Sequence, residues 1–384
     1  MKAGWQTTTL GELCRIRTGK KDVNQGNPEG EYPFFTCAAE HTYSDSFSFD
    51  TEALLIAGNG DVGKVSYYKG KFEAYQRTYV VSDFKGVLPR FLYLILDGKL
   101  KDTVSKQKLG NTMPYIKVGM LTDFPVPIPP LSEQQRIVSI LDEAFDGIAT
   151  AKATAEQNLQ NARALFESHL QSVFTQAPLS GVEGRDEGWK EKRLDDVCDL
   201  ITCGVAARPQ YVDVGVPFLS AKNVKRGKII WSGYNCVSKK THDELTKNNK
   251  PLLGDILYTR VGSYGEAAVI EENIEFSVFV SLTLIKPKKH LLDNYYLKYY
   301  LNSSAIKELA KRSISSSGVG NLNVGTVREF PIHLPPLTEQ VSVVSKLDAL
   351  QEETQRLESL YQRKLAALDA LKKSLLHQAF AGEL

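Results

Sequence analysis

What the chain does not contain narrows the reading first. No run of 18 apolar residues occurs in its 384 residues, so no membrane-spanning helix is expected. The opening MKAGWQTTTL carries no apolar core of the kind a secretory signal needs. Cysteine is scarce: five residues, at 14, 37, 198, 203 and 236, odd in number and without a CxxC pair. A disulfide framework and a thiolate zinc site are therefore not expected, and a reduced, cytoplasmic chain is. His41, His169, His242, His290, His333 and His377 are scattered, none at ligand spacing from a cysteine or carboxylate. No metal site is expected.

Catalytic signatures are missing as well. Gly58-Asn59-Gly60-Asp61-Val62-Gly63-Lys64 fits both GxGxxG and GxxxxGK. A phosphate loop must feed a helix, whose N-terminus holds the anion. Here Val65-Ser66-Tyr67-Tyr68 follows, a strand pattern, so a glycine-turned hairpin is expected instead. Asp97-Gly98-Lys99 has the look of part of a nuclease site, but no second carboxylate stands in the required context. No catalytic centre is expected.

Glycine is nearly absent from two long stretches, and these organise the chain. PPLSEQQRIVSILDEAF at 129–145 returns as PPLTEQVSVVSKL at 335–347. Each opens a helix pattern, from Ser132 to about Gln176 and from Thr338 to about Phe380. The proline pairs end whatever precedes them. Ser132 and Thr338 are the expected N-caps, and Gln135 completes a capping box in the first copy, where the second has Val341. Leu347, Leu350, Thr354, Leu357, Tyr361, Lys364, Leu368, Leu371 and Leu375 step by three and four. At an offset of 206 they become Leu141, Ala144, Ile148, Ala151, Ala155, Asn158, Ala162, Leu165 and His169. Bulky residues on one seam and small ones on the other favour the helices packing on each other over each lying on its own domain.

The duplication extends beyond the helices. Gly4, Trp5, Leu10, Cys14 and Thr18 match Gly188, Trp189, Leu194, Cys198 and Thr202 at an offset of 184. Gly60 and Gly63 match Gly262 and Gly265 at 202, and Phe124-Pro125 matches Phe330-Pro331 at 206. The second copy thus carries about 22 inserted residues. The expected fold class is α+β, with two repeated, strand-rich mixed globular parts and a pseudo-two-fold arrangement. The expected domains are 1–131, a helix 132–180, 181–337, and a helix 338–384.

Charge separates along these borders. The formal net charge is +2 over 1–131 and +6 over 188–337, against −5 over 132–187 and −1 over 338–384. Lys222, Lys225, Arg226 and Lys228 fall within seven residues beside Asn223, and a second basic and polar group is Arg260, Ser263 and Tyr264. Bases, amides and aromatics interleaved in this way suit phosphate contacts and base-edge reading. The remaining candidate DNA contacts are Lys20, Lys21, Asn59, Lys64, Arg77, Lys106 and Lys108 in the first part. In the second they are Arg208, Lys311 and Arg312.

The paired GW openings, YPFF and VPFLSAKNVKRGKI, the two PPL(S/T)EQ helix starts and the ending LLHQAFAGEL together resemble the specificity (S) subunits of type I restriction–modification enzymes. The resemblance spans nearly the whole chain. It implies two target-recognition domains, each reading half of a split, asymmetric site on double-stranded DNA, separated by a long antiparallel two-helix coiled coil that sets their spacing. It implies a non-catalytic, cytoplasmic subunit without a membrane role and without a cofactor of its own. Two modification (methyltransferase) subunits would bring S-adenosylmethionine, and restriction endonuclease/translocase subunits ATP and Mg²⁺. The residues alone also allow a coiled-coil assembly scaffold with two protein-binding domains.

Overall fold

The computed structural model describes residues 4–38, 40–105, 109, 114–175, 189–262, 264–314 and 320–384. The chain forms two compact units. One comprises Met1–Gln157 with Tyr361–Leu384, the other Asn158–Leu360. Each holds one globular part together with portions of both long helices.

In the first unit a six-stranded sheet runs in the order Arg15–Thr18, Thr78–Ser82, Phe49–Ala57, Val65–Ala74, Tyr32–Phe35, Thr42–Ser44. All neighbours are antiparallel except Tyr32–Phe35 beside Val65–Ala74. Alternation sorts the side chains of the central strand: Leu54 and Ile56 point into the main core, Ala53 and Leu55 into a smaller one on the opposite face. The helix Pro89–Ser105 covers the main face with Phe91, Leu92, Ile95 and Leu100. The Gly58–Lys64 stretch is a hairpin turn, as its strand-like sequel predicts. Gly60 and Gly63 are both left-handed, and a Cβ on Gly63 would stand 2.7 Å from Val104 Cγ2.

The second unit repeats the plan with one strand broken in two. Cys198–Cys203, Leu282–Pro287, Ile256–Thr259 and Ala267–Val269 form one sheet. Asn235–Val237, Val216–Leu219 and Ser277–Val278 form another. Ala267–Val269 and Ser277–Val278 together occupy the place of the single strand Val65–Ala74. The helical stretch over 294–312 is interrupted at Ser303, whose extended backbone separates Asn294–Asn302 from Ser304–Arg312.

The repeated sequence motifs are packing devices. Gln6–Thr9 pairs antiparallel with Pro125–Ile128, and Lys190–Arg193 pairs with Pro331–Leu334, so each GW opening closes on the proline-rich exit of its own copy. Leu10 and Leu194 follow, fully buried, and their amides donate to Phe124 O and Phe330 O. Cys14 and Cys198 are core residues whose thiols burial pushes up to about 12.

The long helices span Leu131–Thr175 and Leu337–Ala381, 45 residues each. They begin two residues earlier than caps at Ser132 and Thr338 require, and the device that pins them differs. Glu133 and Gln134 amides donate to Pro130 O, as Glu339 and Gln340 amides do to Pro336 O. Ser132 and Thr338 are exposed positions inside the first turn, so they are not the caps. Gln134, 0% exposed, does the joining. Its Oε1 accepts from Leu88 N at 2.8 Å, and its Nε2 donates to Pro129 O at 2.9 Å and Gly86 O at 3.1 Å. Gln340, also 0% exposed, repeats the set with Asp293 N, Pro335 O and Leu291 O.

Within each unit the two helix portions run antiparallel. In the first, Lys152 pairs with Asp369 and Lys372 lies over the Phe145 ring, while Phe380 packs edge-on to Phe91. In the second, Arg163 pairs with Glu358, while Leu347 and Phe174 share a core in which Phe174 meets Tyr296 and Tyr300. The heptad seam holds through Leu141, Ile148, Ala155 and Ala162 and then drifts. Phe166 and Leu170 turn inward while Leu165 stands 59% exposed; in the second helix Leu376 is buried while Leu371 is 47% exposed. A straight α-helix walks about 20° per heptad away from a 3.5-residue repeat, so a strict seam cannot persist over this length.

Candidate nucleic-acid interface

The basic cluster of the second unit lies within its inserted stretch and is built as a finger. Ser220 N–H donates to Asn223 Oδ1, closing a 3₁₀ turn over Ala221–Asn223. Val224–Lys225 then pairs with Lys228–Ile229 across a two-residue turn, Arg226-Gly227. Both turn residues are left-handed, with φ of 51° and 73°. That geometry suits a tight hairpin but favours Asn-Gly, and an arginine there costs about 1–2 kcal/mol of backbone strain. Val224 and Ile229 pin the finger to the sheet by packing beside Leu257 and Ala268.

Its charges oppose stability in a second way. Lys225 and Lys228 are direct cross-strand partners, and like charges so placed repel. Lys222, Lys225, Arg226 and Lys228 are all exposed and carry no ion pair among the described residues, whereas Lys239, Lys250, Lys286 and Lys307 of the same unit each hold a carboxylate. A polyanion docked at the tip would relieve the repulsion, and the strained turn holds Arg226 at the extremity.

Two proposed contacts of this unit are structural. Arg260 is 6% exposed; its Nε donates to Leu322 O at 2.8 Å and its Nη1 to Val280 O at 3.3 Å. Asn223 is 1% exposed, and its Nδ2 donates to Ile230 O and Ser232 O. Both side chains are engaged by loop carbonyls that turns leave unpaired, so neither is available to DNA. Tyr264 is half-buried, with its hydroxyl on Gly320 O. Arg208 is exposed, as are Lys311 and Arg312 at a helix C-terminus, where Arg312 pairs with Glu308. Ser263, Lys106 and Lys108 lie outside the described residues.

In the first unit the proposed residues converge at one end of the sheet. Gln76 N–H donates to Lys21 O, Gly19 N–H to Thr78 O, and Gly58 N–H to Arg77 O, which brings the segments of Lys20, Lys21, Asn59 and Arg77 together. Lys20 and Arg77 are exposed. Lys21 is half-buried, held by Ser44 and Ser46 Oγ with Glu73 at 3.4 Å, and Asn59 is buried in a bridge to Tyr115. Lys64 lines a cavity of about 410 Å³ beside them. Among the described residues no group of three His, Cys, Asp or Glu is placed to hold a metal ion, and no helix is long and apolar enough to cross a membrane.

A duplicated α+β unit, a basic finger and a pair of long helices define a class of DNA-recognition protein, and comparison with known proteins agrees. The family described as the type I restriction modification DNA specificity domain matches residues 2–161 and 186–364; the chain belongs to this family. It is 29% identical to the EcoDI specificity subunit of Escherichia coli, over 99% of this chain and 88% of that one. It is 20% identical to the MjaVIII specificity subunit of Methanocaldococcus jannaschii, over 99% and 93%. Among solved structures, a chain from work on complex assembly and conformational transition of the type I R-M system shares the fold with a TM-score of 0.79 at 20% identity, covering 100% of this chain and 99% of that one. The HsdS subunit from Thermoanaerobacter tengcongensis has a TM-score of 0.60 at 19% identity, covering 100% and 98%.

Proposed function

We propose that the chain is a non-catalytic subunit that reads a bipartite, asymmetric sequence in double-stranded DNA. It thereby directs the methyltransferase and endonuclease subunits of a type I restriction–modification complex to that sequence. The observation that carries the reading is the duplication itself. One chain holds two copies of a family recognition domain, each with its own core, and the copies differ where the second extends its basic finger. Unequal readers select unequal half-sites, and their binding energies combine. The name of each relative places it in a restriction enzyme, and this reading extends that setting to the present chain. Two modification subunits carrying S-adenosylmethionine, and restriction subunits using ATP and Mg²⁺, would supply the chemistry in the cytoplasm. This chain's residues supply phosphate contacts and base-edge donors.

Methylome sequencing tests this directly in cells carrying the modification subunits with and without this chain. A split methylated motif that appears only with the chain is the expected result. Methylation at an unchanged motif without the chain would refute the reading. Assembly with the partners but no sequence preference in mobility shifts would favour a scaffold.

A further inference from the structure

The cavity of the first unit is lined by three aromatic rings and a floor of strand residues. Phe35 lies 5.3 Å from His41, and His41 lies 5.4 Å from Tyr43, centroid to centroid, giving a continuous aromatic wall. Leu55, Ala57, Ser66 and Thr78, all strand residues, form the floor, and Glu40 and Lys64 are among the residues that line the rest. His41 and Tyr43 are exposed, so the wall is open to an incoming group. The exposed Arg77 adjoins it, since Cys37 Sγ donates to Arg77 O while Cys37 also meets Thr78 Oγ1.

The second unit shows what this space holds when it is merely core. Strand registers equate Leu55 with Leu257, Ser66 with Ala268 and Thr78 with Leu282. There the same face is packed by Leu257, Ala268, Leu282 and Phe276, with Trp231 lying edge-on to Phe276 at 5.4 Å. The first copy has hydroxyls in place of Ala268 and Leu282 and leaves the volume open. A void left by a missing insertion alone needs no serine on its floor and no aromatic wall, because apolar residues would collapse over it.

We infer that this cavity receives an unstacked nucleobase from the DNA half-site read by the first unit. The inference rests on the DNA-reading function proposed above. The chemistry fits a planar heterocycle in an aromatic-walled site. The rings offer stacking, Glu40 accepts from an exocyclic amine, the Ser66 hydroxyl faces the ring edge while that of Thr78 is held by Phe35 O, and Arg77 and Lys64 stand where the nucleotide's phosphate enters. The volume of about 410 Å³ admits a base with its sugar. Extrusion must first unpair the base, so a base whose partner has been removed binds with that cost already met.

The test uses the full chain with its modification subunits and the target found by methylome sequencing. The partner base at each position of the half-site is replaced in turn by an abasic residue, and affinity is measured by competition. The expected result is tightening by about tenfold or more at one position, with weakening or no change elsewhere. His41→Ala with Tyr43→Ala, both exposed, and separately Ser66→Leu, which fills the floor, should abolish that tightening. Calorimetry with free dAMP, dCMP, dGMP and dTMP forms a second arm. Cognate binding with no position that tightens, or tightening that survives both variants, would overturn the inference while leaving the DNA-reading function intact. Free-nucleotide binding without any positional effect also overturns it. Loss of all sequence preference in the unaltered protein would instead strike the function.

Discussion

Replacing Gln134 by leucine removes one amide that serves three backbone groups at once: Leu88 N–H, Gly86 O and Pro129 O. The side chain is fully buried, so water cannot take its place. A buried donor left unmade costs about 1–3 kcal/mol, and carbonyls somewhat less. The leucine returns part of this as apolar burial, which leaves a net loss of about 3–5 kcal/mol. Gln134→Glu keeps the acceptor for Leu88 but turns a carboxylate oxygen on the two carbonyls, and it should lose at least as much. Gln135→Leu, one residue along and exposed, should change stability by less than about 0.5 kcal/mol. Two compact units make a single unfolding free energy ambiguous, so hydrogen exchange read peptide by peptide is the better assay. Protection should fall over 86–92 in Gln134→Leu and over 291–297 in Gln340→Leu, each variant sparing the other segment. If Gln134→Leu leaves the exchange of 86–92 unchanged, the glutamine does not hold the helix start to its domain.

Arg226→Asn should act with opposite signs. It should relieve left-handed strain by about 0.5–1 kcal/mol in urea denaturation, and weaken DNA binding with a salt slope reduced by about one; unchanged affinity would remove the finger from the interface. His242 is fully buried, with Nδ1 on Ser277 Oγ and Nε2 lacking a partner among the described residues. Its pKa is lowered by burial and by Lys239. The unfolded chain then binds more protons below an unfolded histidine pKa of about 6.5. Stability should therefore be full above that value and fall as pH drops through it, and His242→Gln should flatten the melting-temperature profile between about pH 7 and 5. Leu165→Asp and Leu371→Asp lie outside the drifted seam and should cost less than about 1 kcal/mol, against about 3–5 kcal/mol for Leu347→Asp in the buried seam. Circular-dichroism melts separate the two outcomes.

The duplication, the two long helices and the hairpin reading of Gly58–Lys64 were legible because each depends on local pattern. Periodicity, helix starts and a strand after glycines need no knowledge of what packs from afar. The helix start shows where local pattern misleads. PPLSEQ invites a serine cap, and only the repeat exposes the other candidate, since Gln134 and Gln340 match while Gln135 and Val341 do not. Arg260 and Asn223 look like DNA contacts in the sequence because a basic or amide residue in a polar stretch has the same signature whether it faces solvent or satisfies loop carbonyls. Arg260 contacts Leu322, 62 residues on, and no window of sequence carries that partner. The cavity was invisible for the same reason. Its wall and floor come from several strands, and none of Ala57, Ser66 and Thr78 is distinctive alone. The signal that could have found it was the comparison of Ser66 and Thr78 with Ala268 and Leu282, which needs strand register first.

The two copies do not diverge evenly, and the pattern bears on function. On the helix-bearing side of each sheet the devices recur: Leu10 and Leu194, Cys14 and Cys198, Gln134 and Gln340, Leu141 and Leu347, Phe174 and Phe380 are all buried. On the opposite side the sheet positions recur, Leu55 with Leu257 and Phe72 with Phe276, but what lies over them does not. One copy has an open cavity of about 410 Å³ with Ser66 on its floor and His41 and Tyr43 at its mouth; the other has an apolar core with a cavity of only about 80 Å³ and carries a strained, self-repelling basic finger. Uniform relaxation after duplication would have altered both faces alike. Keeping one face fixed preserves the helix attachments, whose exchange of buried amide hydrogen bonds tolerates little change. Freeing the other lets each copy acquire its own contacts without loosening its support. A subunit that must offer partners the same helices while reading two different half-sites requires this division, and a scaffold with two equivalent binding domains does not.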